Sequence, residues 1–220
     1  MRRLFVLRPE PAARRTIERA LELGLDAIAV PIFKLEAVEW SAPPPDEFDG
    51  LLLTSANAVN MGGHQLERLR NLPVHAVGEA TAVAAEVAGF GVASVGKAGV
   101  DELLASIDPG TRLLHLCGED RRPPDRPRQP IHRLTVYRAR AIDRPGSLGE
   151  LRGQVAALHS PRAGTRLVEL IDEQTRATIR VAAISQAAAD AAGSGWAEVG
   201  IATAPTDPAL LALARRLCET

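Results

Sequence analysis

Short runs rich in leucine, alanine and β-branched residues alternate with helix-patterned stretches from end to end of this 220-residue chain. The strand-like runs are Leu4–Leu7, Ala27–Pro31, Gly50–Thr54, Val74–Val77, Val92–Val95, Arg112–Leu116, Val155–His159, Val181–Ile184 and Glu198–Ala202. Helical spacing predicts helices over Ala12–Leu23, Ala56–Arg70, Ala80–Ala88, Asp101–Ile107, Ala163–Asp172, Ala187–Ala192 and Pro208–Leu217. Strand alternating with helix implies parallel sheets covered on both faces. The fold class is α/β.

The chain also repeats itself. Leu52-Leu53-Thr54-Ser55-Ala56 resembles Ala157-Leu158-His159-Ser160-Pro161 at an offset of 105 residues. Ala76-Val77-Gly78-Glu79-Ala80-Thr81-Ala82 aligns with Ala183-Ile184-Ser185-Gln186-Ala187-Ala188-Ala189 at an offset of 107, which also carries Leu103-Leu104 onto Leu210-Leu211. A steady offset over such a stretch points to two copies of one βαβ-type unit.

Two segments break the alternation. Phe33–Trp40 and Leu134–Ala141 alternate apolar and charged residues, and Pro43–Pro45 and Pro145–Gly146 follow them. They read as extended linker strands, at 34–40 and 134–141, joining two lobes. Residues 41–133 would form an inserted second lobe, and residues 1–33 plus 142–220 a discontinuous first one. Each lobe is expected to hold a parallel sheet flanked by helices. The Pro-rich run Arg121–Pro130 cannot form a regular helix and reads as a surface loop.

Composition removes several classes of function. With 26 basic and 27 acidic residues the net charge is −1, without the basic excess of a dedicated nucleic-acid binder. No apolar run reaches the roughly 18 residues of a membrane span. The apolar stretch Leu4–Leu7 is too short for a signal peptide. Cys117 and Cys218 make neither a disulfide framework nor a metal motif, and Cys117 is expected to be buried and inert. The reading is a cytoplasmic protein. Of the basic residues only Lys34 and Lys97 are lysine, a bias that a GC-rich genome explains. Aromatic residues are 3% of the chain, which disfavours a stacking site and leaves Tyr137 as the one tyrosine.

In open parallel sheets ligands bind beyond the carboxyl ends of the strands. The residues there are Arg8, Thr54-Ser55, Gly78, Cys117-Gly118, His159-Ser160 and Ser185. Several open a helix, where free N–H groups and the helix dipole favour carboxylates or phosphates. Ser55 and Ser160 also read as plain helix caps. Neither G-x-G-x-x-G nor G-x-x-x-x-G-K-[ST] is present, nor a G-x-S-x-G elbow. The histidines His64, His75, His115, His132 and His159 show no ligand spacing. The residues alone give a two-lobed, cofactor-free α/β protein with an anion-friendly cleft, and no reaction.

A series of motifs in fixed order carries a resemblance. It runs through Val6-Leu7-Arg8-Pro9, Gly24-Leu25, Pro31-Ile32-Phe33, and Asp49-Gly50-Leu51-Leu52-Leu53-Thr54-Ser55-Ala56-Asn57-Ala58-Val59. It continues through Val77-Gly78-Glu79-Ala80-Thr81-Ala82, Gly89-Phe90, Leu116-Cys117-Gly118-Glu119-Asp120-Arg121, Val136-Tyr137-Arg138-Ala139 and His159-Ser160-Pro161. In this order and spacing the chain resembles the uroporphyrinogen-III synthase family over nearly its full length. The resemblance implies two α/β lobes on a two-stranded linker and a cyclising lyase of tetrapyrrole (haem) biosynthesis. The substrate would be hydroxymethylbilane, a linear tetrapyrrole with eight carboxylates, closed to uroporphyrinogen III with inversion of ring D and loss of water. No metal and no organic cofactor is implied. The expected partner is that small molecule alone, with no nucleic acid, no membrane and a monomeric protein.

The resemblance also assigns residues. Tyr137 falls at the family's tyrosine and is expected to protonate the leaving hydroxyl of ring A, since phenols stay protonated at neutral pH. Substrate binding is expected from Arg8, Thr54, Ser55, Gly78, Thr81, Gly118, Arg138, Ser160, Arg162 and Ser185, with backbone N–H groups holding the carboxylates and the arginines attracting them. One departure stands out: where the family usually reads Gly-Pro-Thr-Thr-Ala, this chain has Ser185-Gln186-Ala187-Ala188-Ala189, without either threonine hydroxyl. That departure keeps open a catalytically silent or regulatory ligand-binding protein of the same fold. Hinge-closing solute-binding proteins share the two-lobed layout but are usually longer and exported.

Overall fold

The structure is a computed structural model that describes residues 1–120 and 123–219. In chain order the elements begin with strand β1 (Leu4–Val6), helix α1 (Ala12–Glu22), β2 (Ala27–Ala29), β3 (Phe33–Ala37), β4 (Gly50–Leu53) and α2 (Ala56–Met61). Next come β5 (Val74–Val77), α3 (Glu79–Val87), β6 (Val92–Gly96), α4 (Val100–Ala105), β7 (Leu113–Gly118) and β8 (Ile131–Ala141). The rest is β9 (Val155–Leu158), α5 (Pro161–Leu170), α6 (Glu173–Arg176), β10 (Arg180–Ala183), α7 (Gln186–Ala192), β11 (Glu198–Ile201) and α8 (Asp207–Glu219).

The chain divides into two compact units, residues 1–34 with 140–220 and residues 35–139. The first holds a five-stranded sheet in the order β11-β10-β9-β1-β2, all pairs parallel. β1 lies between β9 and β2, with Val6 beside both Ala157 and Ala29. One face carries Leu4, Val6, Val155, Ala157 and Ala182 into a core with Ala13 and Ala20 of α1 and Leu210, Leu213 and Leu217 of α8. Ala13, Thr16 and Ala20 recur at helical spacing on the buried side of α1, which explains why this segment forms a helix there.

The second unit's sheet has the order β3-β8-β7-β4-β5-β6, parallel from β8 to β6. Val38 donates to the Val136 carbonyl and Ile142 to the Ile32 carbonyl, so β3 and β8 run in opposite directions. Alternation sends Leu51, Leu53, Leu114 and Leu116 to the face under α2 and α3, and Leu52 and Leu113 to the face under α4. The strands β6-β5-β4-β7 follow the same order as β11-β10-β9-β1. The repeat thus maps β4 onto β9, β5 onto β10, β6 onto β11, and β7 onto the earlier strand β1.

Four expectations need correction. The helix expected over Ala56–Arg70 stops at Met61 and continues as a 3-10 segment, Gly63–Leu69. Gly63 sits at φ 66°, a left-handed conformation that ends the regular helix. α5 starts at Pro161, two residues earlier than expected, because proline suits the first helical position behind a serine cap. α6 was not expected; Asp172 caps it by accepting from the Thr175 N–H. β8 begins at Ile131, three residues earlier than its alternation suggested. Of the run Arg121–Pro130, Arg121 and Arg122 lie outside the described residues, and 123–130 hold neither helix nor strand. There the buried Gln129 amide donates to the Leu104 and Ile107 carbonyls and closes the end of α4. Among the described residues no helix is long and apolar enough to cross a membrane.

Candidate active site

In the unit formed by residues 35–139, β4 ends at Thr54, whose hydroxyl lies 3.1 Å from His115 Nε2 on the neighbouring β7. Ser55 caps α2, its Oγ accepting from the Asn57 N–H at 3.2 Å. Its carbonyl accepts from the Ala58 N–H. Beside it, Gly78 ends β5 at φ 81°, where a side chain would be strained, and nothing lies within 4 Å of the position a β-carbon would take. The Thr81 and Ala82 amides turn back onto the Gly78 carbonyl, which leaves those of Glu79 and Ala80 as the open donors of α3. Thr81 itself is 5% exposed and packs inward.

Tyr137 of β8 stands directly opposite Gly118 of β7 in the parallel ladder. A β-carbon on residue 118 would approach Tyr137 Cζ to 2.7 Å and its hydroxyl oxygen to 2.9 Å. The phenol therefore occupies the space in front of Gly118, and its ring packs at the margin of this unit's core. Arg138, pointing to the other side of β8, pairs with Glu36 at 3.5 Å.

In the other unit Ser160, two residues beyond β9, caps α5 through the Ala163 N–H, and Ser185, two residues beyond β10, caps α7 through the Ala188 N–H. Both hydroxyls therefore serve their own helices. The Gln186 and Ala187 amides open α7 ahead of the capped ones, so losing two threonines from this turn removes no backbone donor. The Arg162 guanidinium, on the first turn of α5, lies over the Phe33 ring at 4.4 Å from its centroid.

Arg8, just beyond β1, reaches the Thr16 hydroxyl at 3.3 Å and the Asp207 carboxylate at 3.4 Å through one nitrogen. Burial lowers its pKa and Asp207 opposes that shift. Asp207 also accepts from Thr16, His159 and Arg19. Burial alone would raise its carboxyl, but the hydrogen bonds from His159, Arg19 and Thr16 prevail and hold it well below the usual carboxylate range. His159 is also lowered, by its own burial, below the usual histidine range.

The expected residues thus fall into two groups. Thr54, Ser55, Gly78, Thr81, Gly118, Tyr137 and Arg138 belong to one unit, and Arg8, Ser160, Arg162 and Ser185 to the other. Asp207 was not expected. Its one sequence signal is an acid immediately before Pro208 at a helix start, where the dipole favours negative charge. Among the described residues no group of three or more His, Cys, Asp or Glu side chains is placed to hold a metal ion. What the two groups offer chemically is amide and guanidinium donors for carboxylates, and one phenol able to give a proton.

Comparison with solved structures finds the same fold. A uroporphyrinogen-III synthetase from Helicobacter pylori matches with a TM-score of 0.70 at 17% identity, over 99% of this chain and all of that one. A mutant uroporphyrinogen III synthase from Thermus thermophilus matches with a TM-score of 0.53 at 18% identity, over the whole of both chains. Comparison with curated proteins finds no significant match. The sequence profile described as uroporphyrinogen-III synthase HemD matches residues 14–212. With all but its two ends matched, the chain belongs to the uroporphyrinogen-III synthase family.

Proposed function

We propose that this protein closes hydroxymethylbilane to uroporphyrinogen III, inverting ring D and releasing water, as a step of tetrapyrrole (haem) biosynthesis. The family match over residues 14–212 carries this reading. The amide donors at the strand ends suit it, because the substrate presents eight carboxylates. Loss of the ring A hydroxyl leaves an electrophilic azafulvene. The substituted carbon of ring D attacks it to give a spiro intermediate, which fragments and recloses with ring D inverted. Unassisted closure gives the wrong isomer, so the protein's main task is to hold the conformer that permits spiro attack. Its second task is to help hydroxide leave.

Binding is assigned to Arg8, Arg162 and Arg138 and to the amides beyond Thr54, Ser55, Gly78, Ser160 and Ser185. Thr81 and Gly118 shape their turns. The Tyr137 phenol is the proton donor to the leaving hydroxyl, which departs as water. Two buried cysteines outside any disulfide suit a reducing compartment, so we place the enzyme in the cytoplasm, working as a monomer.

Incubation with hydroxymethylbilane should yield uroporphyrinogen III, and isomer I alone would overturn the assignment in favour of a silent binding protein. Positioned acid catalysis contributes about 10²–10⁴-fold, and water recovers part of it here, so Tyr137→Phe should lower turnover at least about tenfold. The product should remain isomer III. Wild-type turnover in that variant would reduce Tyr137 to packing.

A further inference from the structure

The Asp207 carboxylate, which the steps above do not use, is the buried centre of a cluster of hydrogen-bond donors. It lies at the first residue of α8 with its side chain 10% exposed. Oδ1 accepts from the Thr16 hydroxyl at 2.9 Å, His159 Nε2 at 3.0 Å and Arg8 Nη1 at 3.4 Å, and Oδ2 accepts from Arg19 Nη1 at 2.8 Å. These donors come from the end of β1, from α1 and from the end of β9. A carboxylate only accepts, so His159 must carry its proton on Nε2.

Arg8 commits one nitrogen to this cluster, where it also meets the Thr16 hydroxyl. Among the described residues nothing bonds to its Nε or Nη2, and the side chain remains 31% exposed. Arg19 answers the other oxygen of Asp207, so one carboxylate pairs with two guanidinium groups, and the charge of Arg15 also acts on Arg8. The cluster keeps a positive excess at the carboxyl end of β1, where ligands of parallel sheets bind.

We propose that Asp207 is a positioning residue for substrate, fixing Arg8 by one nitrogen so that its remaining N–H donors serve a carboxylate of the linear tetrapyrrole. The inference rests on Arg8 being a substrate contact, as assigned above. An arginine already held in place has less freedom to lose on binding than one free in solvent. Thr16 holds the same nitrogen, and His159 and Arg19 hold the carboxylate.

Steady-state kinetics with hydroxymethylbilane test this on Arg8→Gln, Asp207→Asn and the double variant. Loss of a charge-assisted hydrogen bond should raise KM about tenfold in each single variant, with kcat within about twofold of wild type. The double variant should be no worse than Arg8→Gln alone, because both changes remove one interaction. A wild-type KM in Asp207→Asn beside a raised KM in Arg8→Gln overturns the positioning role and leaves the Arg8 contact standing. So does a double variant whose KM rises by the product of the single effects. A wild-type KM in Arg8→Gln overturns the contact itself, and the positioning role with it. If Asp207→Asn fails to fold, Thr16→Val replaces it, since it removes the other acceptor of Arg8 Nη1. Its smaller rise in KM should vanish in the Arg8→Gln background, and a rise that persists there overturns the proposal.

Discussion

A β-carbon at position 118 would come within 2.7 Å of the Tyr137 ring, so the bare backbone of Gly118 and the seat of the phenol are one feature. The obstructing atoms are the far end of a side chain, which can swing aside. Gly118→Ala should therefore displace the hydroxyl rather than unfold the protein, and lower turnover toward the Tyr137→Phe level. Adding Tyr137→Phe to it should cost nothing more, since the phenol is then already misplaced. Full activity in Gly118→Ala would show that the hydroxyl position does not matter. His159 gives a second prediction at this scale. Its folded pKa is lowered by burial while the unfolded one stays near 6.5, so both states are neutral above that pH. Below it the unfolded chain binds a proton that the folded one refuses, and stability falls until the pH passes the folded value. Asp207, with its lowered pKa, contributes stability above the ordinary carboxylate range that is lost only in stronger acid. Urea midpoints between pH 7.5 and 5 should fall more steeply for the wild type than for His159→Gln. Equal slopes would remove His159 as the source.

Among the elements, α5 and α7 pack closely against each other at Gly164. A β-carbon on Gly164 would meet the Ala188 carbonyl oxygen and the Ala192 nitrogen at 2.8 Å each. Both are backbone atoms and cannot rotate away, so Gly164→Ala should destabilise by about 1–3 kcal/mol through overpacking. At Gly200 the nearest atom is the tip of the Leu213 side chain, at 2.7 Å, which has other rotamers. Gly200→Ala should therefore shift the urea midpoint less, and the reverse order would contradict this packing. This is also the scale at which the sequence is most and least readable. Serine between an apolar run and a helical pattern marks Ser55 and Ser160 as caps, because the capping bond spans only two or three residues, and the structure adds Ser185 as a third. The break after Met61 is hidden, since apolar spacing continues through Leu66 and Leu69 and only the backbone angle at Gly63 interrupts it. Asp207 is hidden for a different reason. Its partners lie as far as 199 residues away, and only the assembled sheet brings them together.

At the scale of the whole molecule the two units differ in how they are threaded. Residues 35–139 are one uninterrupted stretch that brings its own sheet from β8 to β6, with cores on both faces. The other unit is split, and β1 from its first segment lies between β9 and β2, with Phe5 fully buried. Without residues 1–34, β9 loses its ladder partner on one side, and the face formed by Val155, Ala157 and Ala182 loses the cover of α1. Exposed apolar surface of that kind costs about 25 cal/mol per Å², more than a marginally stable domain has in reserve. A fragment of residues 35–139 should therefore fold alone, with dispersed amide resonances and a cooperative urea transition. A fragment of residues 140–220 should stay unfolded until a peptide of residues 1–34 is added. Cooperative unfolding of 140–220 by itself would mean that β1 is an accessory to that sheet and not an integral strand of it. An unfolded 35–139 would mean that the contiguous unit depends on the split one for its stability.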